Sequence, residues 1–170
     1  NKLERISDTV KKIEVSQDGV TAHLNNGSFI RAQLLIAADG ANSPIRNELG
    51  IEATEESYSQ NAVVANWTCA YPHLETAFQW FLPGGDIVAM LPLPDKQVSM
   101  VWSTSEENAT ELLKLNHDQW IDRLSSISNG ALIKQLGELT LNSTPAAFPL
   151  RRIRAQRFIG PETNPKVALI

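Results

Sequence analysis

The chain has 170 residues, 42% of them hydrophobic and 20% charged, and a formal net charge of -4. This is an ordinary globular composition with enough chain for one sizeable core; both signs of charge are mixed along it, so it lacks the basic face of a nucleic-acid binder, and no apolar run reaches a membrane span. The single cysteine, Cys69, excludes an internal disulfide and fits a reducing compartment.

Residues 3–38 are predicted as successive strands, with Asp18-Gly19 and Asn26-Gly27 as hairpin turns between alternating apolar stretches. Leu34 to Ala38 is a continuous apolar run, which predicts a strand buried on both faces. Ser43-Pro44 then reads as an N-cap and first helical residue, with Gly50 closing the short helix. Between residues 57 and 104, SYSQNAVVANWTCAY, AFQWFL, DIVAMLPL and QVSMVWST predict a sheet, with turns at Pro-Gly-Gly (83–85) and Pro-Asp-Lys (94–96). Helices are predicted over SEENATELLKL, capped by Ser105, over HDQWIDRLSSI, with Trp120, Ile121 and Leu124 on one face, and over ALIKQL. One strand is expected around LTLNSTPAAFPL, and KVALI (166–170) reads as a buried strand. An opening residue Asn1 and an apolar end lead us to expect a fragment of a longer protein.

The chain holds no G-x-G-x-x-G, P-loop, G-x-S-x-G or H-E-x-x-H. His23, His73 and His117 are scattered without metal-ligand spacing, so no metal site and no catalytic side chain is assigned. His73 and Glu75 read as a surface loop, and Cys69 as a small buried hydrophobe. What remains is LLIAADGANSPIRNELG (34–50), a strand that ends in Asp-Gly and turns into a helix with Arg46 in its first turn. One reading is an anion site, in which the first helical N–H groups and Arg46 meet a phosphate and Asp39 accepts from a sugar hydroxyl. The other is an Asx-type turn with Ser43 as a plain cap and Arg46 in solvent.

AADGANSPIR (37–46) resembles the Asp-Gly motif of the aromatic-hydroxylase class of FAD-dependent monooxygenases: an apolar strand, Asp-Gly, two residues, Ser, two residues, Arg. AFQWFLPGGDIVAMLPLPDKQVSMVWST is similar to the substrate-domain sheet of the ubiquinone-biosynthesis (polyprenylphenol) hydroxylases within that class. FPLRRIRAQRFIGPETNPKVALI is similar to the approach to the family's second flavin motif, a Gly-Asp that would begin just past Ile170. The resemblance covers nearly the whole chain in the family's order. The dinucleotide fingerprint, the Gly-Asp motif and the C-terminal helices of the family are absent from it.

The resemblance implies an α+β fold, a mostly antiparallel substrate-binding sheet flanked by helices with part of an FAD/NAD(P)-binding domain. Residues 1–50 and 151–170 would be segments of the FAD-binding domain, and 51–150 the substrate-binding domain. It implies part of a monooxygenase that uses FAD, with NAD(P)H as reductant, to hydroxylate an aromatic ring of a polyprenylated phenol, the fragment alone being inactive. The cofactor supplies the oxygen chemistry. Asp39, Gly40, Ser43 and Arg46 would be cofactor-binding, near the FAD pyrophosphate. For the apolar, polyprenylphenol-type substrate, strand alternation sets Phe78, Trp80 and Leu82 on one face and Gln79 and Phe81 on the other. Trp80, Met90 and Trp102 are the expected substrate wall; the competing reading makes them core against the helices at 106–128. No nucleic-acid partner is expected. A cytoplasmic location is expected, with contact at the inner membrane surface and biosynthetic-complex partners both open. Alternatives are a halogenase or isoprenoid-lipid reductase of the same fold, or a stand-alone lipid- or partner-binding module without redox activity.

Overall fold

A computed structural model describes residues 3–170; the first two residues of the expected FAD-binding segment lie outside them. The strands and helices follow in chain order as β1 (Val10–Ser16), β2 (Gly19–Leu24), β3 (Phe29–Ala32), β4 (Leu35–Ala37), α1 (Pro44–Glu48), β5 (Ala53–Cys69), β6 (Phe78–Phe81), β7 (Ile87–Leu93), β8 (Gln97–Ser105), α2 (Glu106–Leu112), α3 (His117–Ile127), α4 (Ala131–Leu136), β9 (Leu139–Leu141), β10 (Ala146–Ala155), β11 (Ile159–Gly160) and β12 (Val167–Leu169). The fold is α+β and mostly antiparallel. The chain divides into two compact units, Asn1–Glu56 with Ile153–Ile170, and Ser57–Arg152.

In the first unit, β1, β2 and β3 form an antiparallel sheet in that order. Gly19 opens β2 where a Cβ would overlap the Ala32 carbonyl, so the close approach of β3 requires glycine there. Residues 3–9, expected as strand, lie outside any element, although the Thr9 carbonyl accepts from Asn25 N at 2.9 Å. A second sheet has the order β11-β12-β4, with β12 and β4 parallel. Ile13, Val20, Ala22, Ala37, Ile45 and Val167 form the core of this unit. The expectation that β4 is buried on both faces is corrected. Ala37 is buried, but Leu34 and Ile36 are 53% and 59% exposed, because the core packs against only one side of this short sheet.

On the surface of the first sheet, Glu14 accepts from Lys12 Nζ at 2.8 Å and lies 3.3 Å from His23 Nε2. Lys12 first, and His23 after it, hold the Glu14 carboxyl below the ordinary carboxylate value. The sign follows: the interaction is present above the ordinary glutamate range and is lost as pH falls through the lowered value. An NMR titration of Glu14 is expected to show a midpoint below that of an isolated glutamate, and molar salt is expected to move it back up.

The second unit is built on a sheet of order β10-β5-β8-β7-β6, with β9 also on β5. Its strands alternate cleanly: in β8, Val98, Met100, Trp102 and Thr104 are buried and the residues between them are half-exposed. The β7–β8 turn places Asp95 and Lys96 at φ 59° and 57°, the conformation of a two-residue hairpin turn. The single strand expected around residues 139–150 is two, β9 and β10. Ser105 Oγ accepts from Asn108 N at 3.2 Å to start α2. Asn116 and Gln119 cap α3 reciprocally, at 3.0 and 2.9 Å, a capping box.

Leu112, Trp120, Leu124, Leu132 and Leu136 of the three helices meet Val63, Trp67, Val88, Met90, Met100 and Trp102 of the sheet in one core. Trp120 stands edge-on to Trp67 at 6.1 Å and to Trp102 at 6.2 Å, a favoured aromatic geometry. Cys69 lies in the same core, and burial pushes its thiol pKa up, which keeps it a protonated, unreactive hydrophobe.

Candidate functional site

The Asp-Gly turn of the first unit is held by its own side chains. Ser43 Oγ accepts from Arg46 N at 2.9 Å, and Asp39 Oδ2 accepts from Ile45 N at 3.1 Å. Ser43 N donates to the Gly40 carbonyl at 3.1 Å, and Gly40 sits at φ 80° with open space where a Cβ would be. Glycine therefore serves the left-handed turn there, not a close approach. Pro44 follows as the first helical residue, where its missing N–H costs nothing.

These bonds correct one part of the sequence reading. The N–H groups of Ile45 and Arg46 are already taken by Asp39 and Ser43, so they are not an anion cradle. The negative charge that the start of α1 meets is the Asp39 carboxylate. The cation at this turn is Arg46. Its Nη1 donates to the Ala41 carbonyl at 2.7 Å and its Nη2 lies 3.4 Å from Asn47 Oδ1. Its Nε is buried and lacks a hydrogen-bond partner among the described residues. A buried guanidinium donor without a partner is the kind of group that a bound phosphate satisfies.

Asp39, Gly40, Ser43 and Arg46 line one cavity of about 270 Å³, and Ile153, Phe158 and Leu169 form its apolar wall. The cavity thus joins a fixed cation and a tight turn to an apolar surface, which fits a cofactor with a charged phosphate and a flat ring or sugar. Because Ser43 is buried and caps α1, Ser43→Ala is expected to lower stability by about 1 kcal/mol in urea unfolding.

In the second unit, the expected wall of Trp80, Met90 and Trp102 is corrected. Met90 and Trp102 are 0% and 1% exposed and lie in the core beneath the helices, with Trp80 packed against it. Covered by α2–α4, that face cannot receive a substrate. The other face of the same strands is open. Gln79 pairs with Ala89 and Phe81 with Ile87 across β6 and β7. Phe81 is 74% and Leu91 42% exposed, with Ala89 and Val101 half-exposed beside them. Strand alternation in the sequence defined this set but carried no signal that it was the open one.

His73 donates through Nε2 to the Leu93 carbonyl at 2.8 Å and accepts from Glu75 N at Nδ1, at 3.1 Å. Both ring nitrogens are thus occupied in fixing a loop. No group of His, Cys, Asp and Glu among the described residues could hold a metal ion, and none of the helices there is long and apolar enough to cross a membrane.

A cavity that joins an arginine to an apolar wall has the chemistry to hold a nucleotide cofactor. A family model described as an FAD binding domain matches residues 5–155, and the chain belongs to that family. It is 40% identical over 122 residues to the Danio rerio protein named ubiquinone biosynthesis monooxygenase COQ6, mitochondrial, an alignment that covers 71% of this chain and 24% of the relative. The human protein of the same name is 42% identical over 104 residues, covering 61% of this chain and 22% of the relative. Ubiquinone hydroxylase UbiL of Rhodospirillum rubrum is 37% identical over 98 residues, covering 58% and 23%. The chain spans about a quarter of the length of these curated relatives. Among solved structures, P. aeruginosa PqsL in complex with 2-aminobenzoylacetate is 20% identical with a TM-score of 0.65, covering 94% of this chain and 44% of that one. The flavin-dependent brominase Bmp2 is 15% identical with a TM-score of 0.65, covering 96% and 42%. At these identities the likeness shows the fold.

Proposed function

We propose that this chain is part of an FAD-dependent monooxygenase, reduced by NAD(P)H, that hydroxylates an aromatic ring of a polyprenylated phenol in ubiquinone biosynthesis. The observation that carries this reading is the identity of 36–42% to relatives named as ubiquinone biosynthesis monooxygenases and hydroxylases. Residues 1–50 and 151–170 are segments of its FAD-binding domain and 51–150 its substrate-binding domain; the division into compact units at residues 56/57 and 152/153 supports this. Arg46 meets a phosphate of the cofactor. Asp39, Gly40 and Ser43 hold the turn and the helix start that aim it. When bound, the flavin supplies the oxygen-transfer chemistry, and the protein supplies position and a dry surface. The open face of β6–β8, with Gln79, Phe81 and Leu91, is the substrate wall in place of Trp80, Met90 and Trp102. A polyprenylated substrate partitions into bilayers, so contact at the inner membrane surface and with other enzymes of the same biosynthesis belongs to this reading.

The test is FAD titration by flavin fluorescence on this chain and on the full-length protein, followed by product analysis. The full-length protein is expected to bind FAD and to place one oxygen atom from O2 on the phenol ring; this chain alone is expected to stay colourless. A full-length protein that binds no flavin, or that halogenates or reduces its substrate instead, would overturn the reading.

A further inference from the structure

Asp86 ends the turn between β6 and β7, outside the flavin site and off the open sheet face. Its Oδ2 accepts from Trp102 Nε1 at 2.9 Å, from Thr104 Oγ1 at 2.7 Å and from Asn108 Nδ2 at 3.2 Å. Asn108 Nδ2 also reaches Thr104 Oγ1 at 2.8 Å. Arg123 of α3 closes the network from behind, 3.5 Å from Asn108 Oδ1 and with its guanidinium 5.9 Å from the Trp102 ring centre. One carboxylate oxygen therefore collects donors from β8 and α2, and Thr104 is fully buried beneath it. Hydrogen bonds to an ionised acceptor are stronger than neutral ones, and a partly buried network of them rigidifies what it joins.

What it joins needs fixing. β6 has four residues, stands at the sheet edge and pairs only with β7. The turn that leads out of it contains Gly84 and Gly85, both at positive φ, residues with the largest backbone freedom. Leu82 N donates to the Asp86 carbonyl at 2.8 Å, so the residue that carries the network also closes the hairpin. That hairpin presents Gln79 and Phe81 to the open face.

We propose that Asp86 is a positioning residue for substrate. By tying the β6–β7 turn to Trp102, Thr104 and Asn108, it sets where Gln79 and Phe81 stand and so how tightly the open face holds an apolar aromatic substrate. Trp102 serves as a donor to this carboxylate and does not touch substrate. The proposal rests on the reading of that face as the substrate wall.

The test uses the full-length FAD-loaded protein with a polyprenylated phenol. Asp86→Ala is expected to raise KM about tenfold with kcat changed less than about twofold, because a displaced hairpin weakens ground-state and transition-state binding alike. Asp86→Asn, which keeps one acceptor oxygen, and Trp102→Phe, which removes one donor, are expected to fall between; they carry the test if Asp86→Ala does not fold. Amide hydrogen exchange at Leu82, whose N–H closes the hairpin on the Asp86 carbonyl, is expected to quicken in the same variants. A folded variant with wild-type KM overturns the proposal, and so does a raised KM with unchanged exchange at the Leu82 amide. Failure of the underlying reading shows separately, as a wild-type protein that hydroxylates no such phenol or a Phe81→Ala variant with unaltered KM.

Discussion

Arg46→Ala is expected to weaken FAD binding by the full-length protein about 10- to 100-fold, because a hydrogen bond to a charged group is worth roughly 1.5–3 kcal/mol and each 1.4 kcal/mol is a factor of ten. The Ile45 and Arg46 amides of the turn are bonded to Asp39 and Ser43, so neither can substitute for the lost cation. Arg46 Nε is a buried donor with no partner among the described residues, and Arg46 lines the cavity beside the turn. Arg46→Lys is expected to recover little, since an ammonium has no counterpart of the Nε–H and cannot hold the Ala41 carbonyl and a phosphate in one plane. Flavin-fluorescence titration reads both variants directly. Wild-type affinity in Arg46→Ala would remove Arg46 from the site and leave the turn as a purely structural motif.

Trp120→Ala is expected to lower stability by about 3–5 kcal/mol, the usual cost of removing a fully buried aromatic side chain. Trp120 is 0% exposed and bridges the helices to the sheet, edge-on to both Trp67 and Trp102. The cavity left behind would open at the centre of the core. Trp120→Phe is expected to cost far less than the alanine variant. The phenyl ring keeps much of the packing, and the indole Nε1 it removes is buried without a hydrogen-bond partner among the described residues, so no bond there is broken. Urea unfolding of the two variants measures the difference. Equal losses in both would show that the indole makes an interaction that ring packing does not supply.

Much of the fold was legible in local signals. Asn-Gly at 26–27, the Ser43 and Ser105 caps, and the helices at 117–127 and 131–136 all stand where the residues indicated. Each depends on contacts within a few residues: a turn conformation, a side chain on the third amide, an apolar stripe. The Asp-Gly turn was legible for the same reason, since Asp39, Gly40, Ser43 and Arg46 are close in sequence and line one cavity.

The errors arose where burial depends on distant chain. Alternation in β6, β7 and β8 separates Trp80, Met90 and Trp102 from Gln79, Phe81 and Leu91, but both sets are apolar enough to face either a core or a ligand. The helices that cover the first set come from residues 106–136, and nothing in the strands themselves shows which face those helices take. The role of Asp86 was equally hidden, because its donors Trp102, Thr104 and Asn108 lie 16 to 22 residues away. The sequence by itself determined the strands, the helices, their caps and the Asp-Gly turn, because those follow from short-range hydrogen bonding and side-chain period. Only the tertiary structure decided which sheet face is closed and which open, and that the Asp39 carboxylate bonds an amide at the start of α1. Those outcomes depend on which polar and apolar groups meet once the chain has packed.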